Sequence, residues 1–146
     1  MTHLELLGSE LKSDFLNDLF ETYDVQVVYE YDRTHEGIAD EYQAEIPDLG
    51  LQFVFDKHQM LKTLFMTPVE VTTFNPFEAD PSMHKFSTKA EAVRYARDNG
   101  LKTAEGTAEF MGEQKDWIRF EGATHSMHYE YVDAKLRMIT LQMTNA

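Results

Sequence analysis

The chain contains no cysteine among its 146 residues, and this absence excludes two kinds of small protein. Disulfide-stapled scaffolds and zinc sites built on thiolates both require Cys. A chain of this length, with 42% hydrophobic residues, can bury about 68–70% of its unfolded surface without such staples. We therefore expect one domain over residues 1–146, and the lack of Cys is typical of a reducing, cytoplasmic environment.

The chain also lacks the motifs of several large functional classes. Its first residues, Met1-Thr2-His3-Leu4-Glu5, have neither a basic head nor an unbroken apolar run, so we expect no signal peptide and no membrane span. A Gly-x-Gly-x-x-Gly or Walker-type loop is missing, which argues against a nucleotide-binding α/β fold. No Ser, Thr or Lys stands in a nucleophile elbow or beside a patterned base. These absences predict a protein that is not an enzyme and binds no cofactor.

Basic residues are scarce, because 13 Lys and Arg stand against 26 Asp and Glu and give a formal net charge of -13. Affinity for nucleic acid or for an anionic membrane depends largely on Lys and Arg, so neither is an expected partner. The acids are concentrated between Asp14 and Asp48, where Arg33 is the single base. A cluster of negative charge either keeps the protein soluble or steers a basic protein toward its docking face by its electrostatic field. We favour the second interpretation.

Two stretches with the same apolar pattern organise the predicted fold. In Gly50–Met66, alternate residues share one face of a strand, and a second strand runs back after a polar turn. Met127–Met143 repeats this pattern with a turn one residue shorter. Phe53 and Phe55 correspond to Tyr129 and Tyr131, Leu61-Lys62 to Leu136-Arg137, and Leu64 to Ile139. We predict two related helix-plus-strands units, residues 1–74 and 82–146.

Helical spacing and capping signals place the two main helices. Apolar residues from Leu7 to Tyr23 recur at helical spacing and predict the first helix. Thr88 and Glu91 form a capping box at the start of the second helix, which we expect to end at Gly100. Residues 102–112 are expected to form a loop, and Trp117 is expected in the core. The order of elements predicts an α+β fold with a largely antiparallel, curved sheet and the helices on one face.

The polar segment 33–41 is the main candidate for a functional site. His35, Glu36, Asp40 and Glu41 are residue types that bind metals or exchange protons, but their spacing matches no established metal motif. An exposed acidic loop is the preferred interpretation, so we predict no metal and no catalytic residue. Tyrosines flank this loop, and Tyr is favoured at protein interfaces. The predicted partner-binding residues are Asp32, His35, Glu36, Asp40, Glu41, Tyr42 and Glu45.

A second group of polar residues lies near the C-terminus. His128 and Glu130 alternate with Met127, Tyr129 and Tyr131, so they are expected on the solvent face of a strand. The better interpretation of this group is a cross-strand surface pair rather than a catalytic site.

The apolar pattern resembles the small immunity proteins of bacterial polymorphic toxin and contact-dependent growth inhibition systems. The resemblance is carried by Gly50–Asp56, Leu61–Met66, the capped helix Ser87–Gly100 and the strands around Trp117, Tyr129 and Ile139, about two thirds of the chain. The helix-then-strands order is also similar to modules of the beta-lactamase-inhibitor type. The chain departs from these relatives after the second helix, where they carry Gly-x-Pro and it has Asn99-Gly100-Leu101.

The resemblance implies a cytoplasmic antidote that acts by binding a toxin and carries no catalytic residues of its own. If the toxin is a nuclease, its substrate groove is basic and an acidic inhibitor complements it. Two alternatives remain open at this point. One is a small-ligand module with a cavity lined by Tyr and Phe, and the other, less favoured, is a metal or acid–base enzyme centred on His35 and Glu36.

Overall fold

The computed structural model describes residues 2–31, 40–71, 73–81 and 83–144. Within these ranges the helices are α1 (His3–Leu6), α2 (Asp14–Thr22) and α3 (Lys89–Asp98), and Pro47–Leu49 forms one 3₁₀ turn. The strands are β1 (Val28–Glu30), β2 (Glu41–Ile46), β3 (Leu51–Phe55), β4 (Leu61–Met66), β5 (Thr103–Phe110), β6 (Glu113–Glu121), β7 (His125–Val132) and β8 (Lys135–Met143). The fold is α+β.

The strands form one antiparallel sheet in the order β1-β2-β3-β4-β8-β7-β6-β5. Each half of the sheet is a four-stranded meander, and the halves meet where β4 pairs with β8. The strand β4, apolar at nearly every position, is therefore central in the sheet. Because β1 and β5 lie at the two edges, the end of β1 and the turn at 111–112 that follows β5 lie at opposite edges of the sheet.

The hairpins β3–β4 and β7–β8 have the same register. Phe53 pairs with Leu64 as Tyr129 pairs with Ile139, and Phe55 pairs with Leu61 as Tyr131 pairs with Leu136. Each hairpin also has its bulge at the matching point, before Phe55 in one and before Tyr131 in the other. Equal registers place equivalent side chains on equivalent faces.

The seam between β4 and β8 has two-fold symmetry in its pairing. By the hairpin register, Phe65 of β4 is the residue equivalent to Thr140 of β8, and these two residues pair with each other. The pairs on either side of them, Leu64 with Leu141 and Met66 with Ile139, are therefore equivalent to one another.

The core lies on one face of the sheet, under the helices. Leu16 and Phe20 of α2 are buried there, and the Phe20 ring meets the Phe53 ring edge to face at 5.1 Å between centroids. On the α3 side the Tyr131 hydroxyl donates to the backbone carbonyl of Phe86 at 2.9 Å and to that of Thr88 at 3.2 Å. These bonds attach the segment that enters α3 to β7.

Both predicted ends of α3 are confirmed. The Thr88 hydroxyl accepts from the backbone N–H of Glu91 at 3.3 Å, which caps the start. At the other end Gly100 has φ +63°, and the Leu101 N–H donates to the carbonyl of Ala96 at 2.9 Å. This arrangement is a Schellman motif, which requires a residue such as Gly in the left-handed region.

The prediction of one continuous first helix is wrong. After α1 ends at Leu6, the chain runs beside the β3–β4 turn, and Gly8 N–H donates to the carbonyl of Leu61 at 2.8 Å. Leu61 N–H donates in turn to the carbonyl of Ser9, and Leu11 N–H to that of Gln59, each at 2.8 Å. Pairing with the turn replaces the helical hydrogen bonds over this stretch, and the helix begins again only at Asp14.

Residues 102–112 do not form the predicted loop, because most of them belong to β5. This strand lies at the edge of the sheet and pairs only with β6, from Thr103–Phe120 to Phe110–Glu113. Most of its residues are exposed, so it has no apolar alternation by which the sequence would mark a strand.

Candidate functional site

The sheet has a second face, opposite the core, which we call the open face. One row of directly paired residues crosses it from β2 to β6, and these residues are half-buried or exposed. The row consists of Glu45, Gln52, Phe65, Thr140, His128 and Arg119. Their neighbours along each strand belong to the buried core, as a period of two requires. Of the described helix residues, Leu6, Leu16, Phe20 and Ala92 pack into that core.

The predicted partner-binding residues divide between the two faces and one undescribed segment. Asp32, His35 and Glu36 lie outside the described residues. The side chain of Tyr42 lies on the core side of β2 with Ala44, whereas Glu41 and Glu45 lie on the open face. Asp40 precedes β2 at the edge of the sheet. The structure therefore brings Asp40 close to Tyr42 and separates Glu41 and Glu45 from them.

Three tyrosine rings and one carboxylate form a compact corner at the β1 edge. The Tyr29 ring lies 4.9 Å from the Tyr42 ring and 5.9 Å from the Tyr31 ring, measured between centroids. The Tyr29 hydroxyl donates to the Asp40 carboxylate at 2.6 Å, and this hydrogen bond is the main reason that the pKa of Tyr29 rises to about 12. Tyr29 is 45% exposed and Tyr31 52% exposed, so the corner presents aromatic surface to solvent.

The two acids on the open face of β2 differ in their partners. Glu41 forms an ion pair with Lys62, which lies at the bulge of β4. Glu45 is exposed and forms no ion pair with any residue that the structure describes.

An acidic groove of about 580 Å³ lies against the first three strands, and its walls include none of the four residues of the Tyr corner. Its walls come from strands β1 to β3, from the 3₁₀ turn and from residues 23–26, which connect α2 to β1. Four carboxylates line it, those of Asp24, Glu30, Glu45 and Asp48, and the described residues in its walls include no Lys or Arg. The groove therefore concentrates negative potential in a space large enough for basic side chains of another protein.

Trp117 lies on the open face, which makes its predicted core position wrong. The neighbouring Ile118 is fully buried instead, and Trp117 is half-buried with its ring stacked on the His128 ring at 5.3 Å and 18°. The Arg119 guanidinium lies 5.5 Å from the indole centroid. Burial, followed by the positive charge of Arg119, lowers the pKa of His128 below 6.5.

The indole of Trp117 fits against β5 because the residue opposite it on that strand is a glycine, which has no side chain. Gly106 pairs directly with Trp117, and a Cβ atom at position 106 would lie 2.8 Å from the indole Nε1. The alternation of Trp117 and Arg119 with Ile118 is the signal in the sequence that identifies the correct face. His128 alternates in the same way with Tyr129 and lies on the solvent-facing side, as predicted.

A smaller cavity lies between α3 and the sheet. Its volume is about 260 Å³, and aromatic side chains from Tyr95, Phe120 and Tyr129 line it together with His84 and His125. Ordinary small-molecule sites occupy about 300–1,000 Å³, so this cavity is below their range.

The described part of the chain has neither a metal cluster nor a membrane-spanning helix. No group of three or more His, Asp or Glu side chains there is placed to hold a metal ion. None of the described helices is long and apolar enough to cross a membrane. Comparison with known proteins found no matching family model, no matching curated protein and no matching solved structure.

Proposed function

We propose that the protein is an immunity protein that binds and neutralises a basic bacterial toxin domain, such as a nuclease. The observation that carries this proposal is the groove of about 580 Å³ lined by four carboxylates and by no described Lys or Arg. A nuclease must hold phosphates with basic residues, and an acidic inhibitor masks such a surface by complementary potential. The exposed tyrosines of the Tyr corner add the aromatic surface that protein interfaces favour.

Under this proposal the protein acts in the cytoplasm, and it acts by binding alone. Its contact residues are the seven predicted from the sequence, with Glu45 inside the acidic groove and Asp40 held by Tyr29 at the Tyr corner. A fixed carboxylate loses little conformational freedom on binding, which favours affinity.

We also infer that the single domain consists of two related helix-plus-strands units. The equal hairpin registers, the matching bulges and the two-fold seam support this interpretation. The groove and the Tyr corner belong to the first unit, and the Trp117 stack belongs to the second.

Co-expression with a toxin tests the proposal directly. Each toxic domain encoded beside the gene is expressed in a host with and without this protein, and growth is followed. Rescue by this protein, together with a complex that dissociates as salt rises, is the expected result, because screening weakens the attraction between complementary surfaces. If none of these toxic domains is neutralised, the immunity function is wrong.

Charge reversal near the groove tests the location of the interface. Asp40→Lys with Glu41→Lys should slow association with the toxin, while the fold remains intact. The matched control is Glu109→Lys with Glu113→Lys, exposed acids near the β5–β6 turn at the opposite edge of the sheet. Both double variants change the net charge equally, so a slower association of the first alone assigns the effect to local contacts. Equal association rates for the two variants would refute that assignment.

The small-ligand alternative has one observation in its favour, the aromatic cavity of about 260 Å³. A metabolite that binds there would raise the unfolding temperature, and Tyr95→Ala would remove the effect. If no metabolite in a library raises the unfolding temperature, the acidic groove remains the better-supported site.

A further inference from the structure

The open face is wide enough to form a protein interface by itself. Neighbouring strands are about 4.8 Å apart and residues along a strand about 3.3 Å. The eight described strands have between three and nine residues, and with about six residues taken for each the face measures roughly 34 Å by 20 Å. Stable protein complexes bury about 800 Å² on each partner, which is a similar area. In the described chain the buried helix residues Leu6, Leu16, Phe20 and Ala92 belong to the core on the other side.

The open face also carries a side chain of the type that dominates binding energies. Trp117 is the only tryptophan of the chain, and it lies here rather than in the core. The indole is held between the His128 ring, the Arg119 guanidinium and the backbone of Gly106. Tryptophan is enriched among residues whose removal costs most in an interface, and a ring already held in place loses little entropy on binding.

The charges of this face select the partner. Arg119 is paired with Glu121 at 3.0 Å, and Lys62 is paired with Glu41. Glu30 and Glu45 form no ion pair with any described residue. Lys115 of the same face also forms no ion pair with a described residue, but it is outnumbered by Glu30, Glu45, Glu113 and Glu130. The face is therefore complementary to a basic protein, whereas a second copy of this chain, with a net charge of -13, is repelled.

We propose that the open face, with Trp117 as its anchor, is the surface on which a basic protein partner docks. The identity of that partner as a toxin rests on the proposed function. Two predicted contact residues, Glu41 and Glu45, already lie on this face, and Glu45 also lines the acidic groove. The row from Glu45 to Arg119 connects the groove with the Trp117 stack, so the interface is continuous across the sheet.

Site-specific photo-crosslinking tests the surface in the cells from which the protein comes. The photoreactive amino acid p-benzoylphenylalanine replaces Phe65 or Trp117 in the full chain, and Arg94, exposed on α3, is the matched control position. We expect both open-face positions to form an adduct with the same basic protein, and the Arg94 position to form none. Adducts from Arg94 alone, or from none of the three positions, overturn the proposal.

Affinity for the crosslinked basic protein provides the second measurement. Trp117→Ala should weaken binding by about 30-fold or more, the range of a dominant interface residue, and Arg94→Ala should change it by less than about three-fold. Thr140→Lys keeps the Trp117 stack and places a positive charge in the middle of the face, so it should weaken binding by about ten-fold or more. A folded Thr140→Lys variant that binds as tightly as the wild type overturns the proposal.

The outcomes separate this proposal from the immunity function. A basic partner that crosslinks through the open face but does not arrest growth when expressed alone supports the docking surface and refutes the immunity function. A neutralised toxin that crosslinks only from Tyr29, at the Tyr corner, supports the immunity function and overturns the open face as the docking surface.

Discussion

Leu64 and Phe65 are neighbours on β4 whose side chains point to opposite faces of the sheet. Leu64 is fully buried between the positions of Phe53 and Leu141, whereas Phe65 is half-buried on the open face. Leu64→Ala creates a core cavity and should lower the free energy of unfolding by about 3 kcal/mol, within the range of 2–5 kcal/mol for such changes. Phe65→Ala removes a ring that is already partly in water, and we expect a loss of about 1 kcal/mol.

Urea unfolding distinguishes the two variants. With a slope of about 2 kcal/mol per molar urea, Leu64→Ala should move the midpoint down by about 1.5 M and Phe65→Ala by about 0.5 M. Binding of the partner should show the opposite order, since Phe65 lies on the docking surface and Leu64 does not. Equal midpoint shifts would show that Phe65 is covered to the same extent as Leu64, and would refute the assignment of the open face.

Three other polar features give measurable predictions. Tyr131→Phe removes a hydroxyl that donates to two backbone carbonyls, so thermal unfolding should show a loss of about 1–2 kcal/mol, and no loss would contradict this role. The pKa of His128 is lowered in the folded state, so the stability that the neutral ring contributes is complete above pH 6.5, its ordinary pKa, and is lost as the pH falls below that value. His128→Gln should therefore flatten the dependence of the urea midpoint on pH. Asp40→Asn removes the charged acceptor, so the pKa of Tyr29 should fall from about 12 toward 10.0 in a tyrosinate absorbance titration, and an unchanged curve would refute the cause given.

The sequence predicts strands correctly where only one face is buried. In β3 the alternation of Leu51, Phe53 and Phe55 follows directly from burial under α2, and the pattern locates both the strand and its face. The edge strand β5 has no such signal, since both of its sides are largely exposed and pairing with β6 alone holds it. Strand formation there depends on the partner strand rather than on the local pattern.

The candidate site is predictable in its charges but not in its geometry. Acidic composition identifies Glu41 and Glu45, yet only the register with β3 shows that they share the open face. Trp117 is misplaced by an argument from hydrophobicity, because its size favours burial while its alternation with Ile118 places it on the other side. The break in the first helix also cannot be predicted from the local sequence, since the carbonyl that accepts from the Gly8 N–H belongs to Leu61, more than 50 residues away.

The pairing of Phe65 with Thr140 gives the seam the symmetry of a contact between identical subunits. A protein made of one such unit has a last strand that can pair with its own copy in this register, which is how an ancestral homodimer would be built. Duplication and fusion of its gene would then produce the present chain and release the two copies from identical selection. By the shared registers, Gln43 and Glu45 are equivalent to Trp117 and Arg119, so such a duplication would have left one end of the same surface free to become acidic and the other to become aromatic.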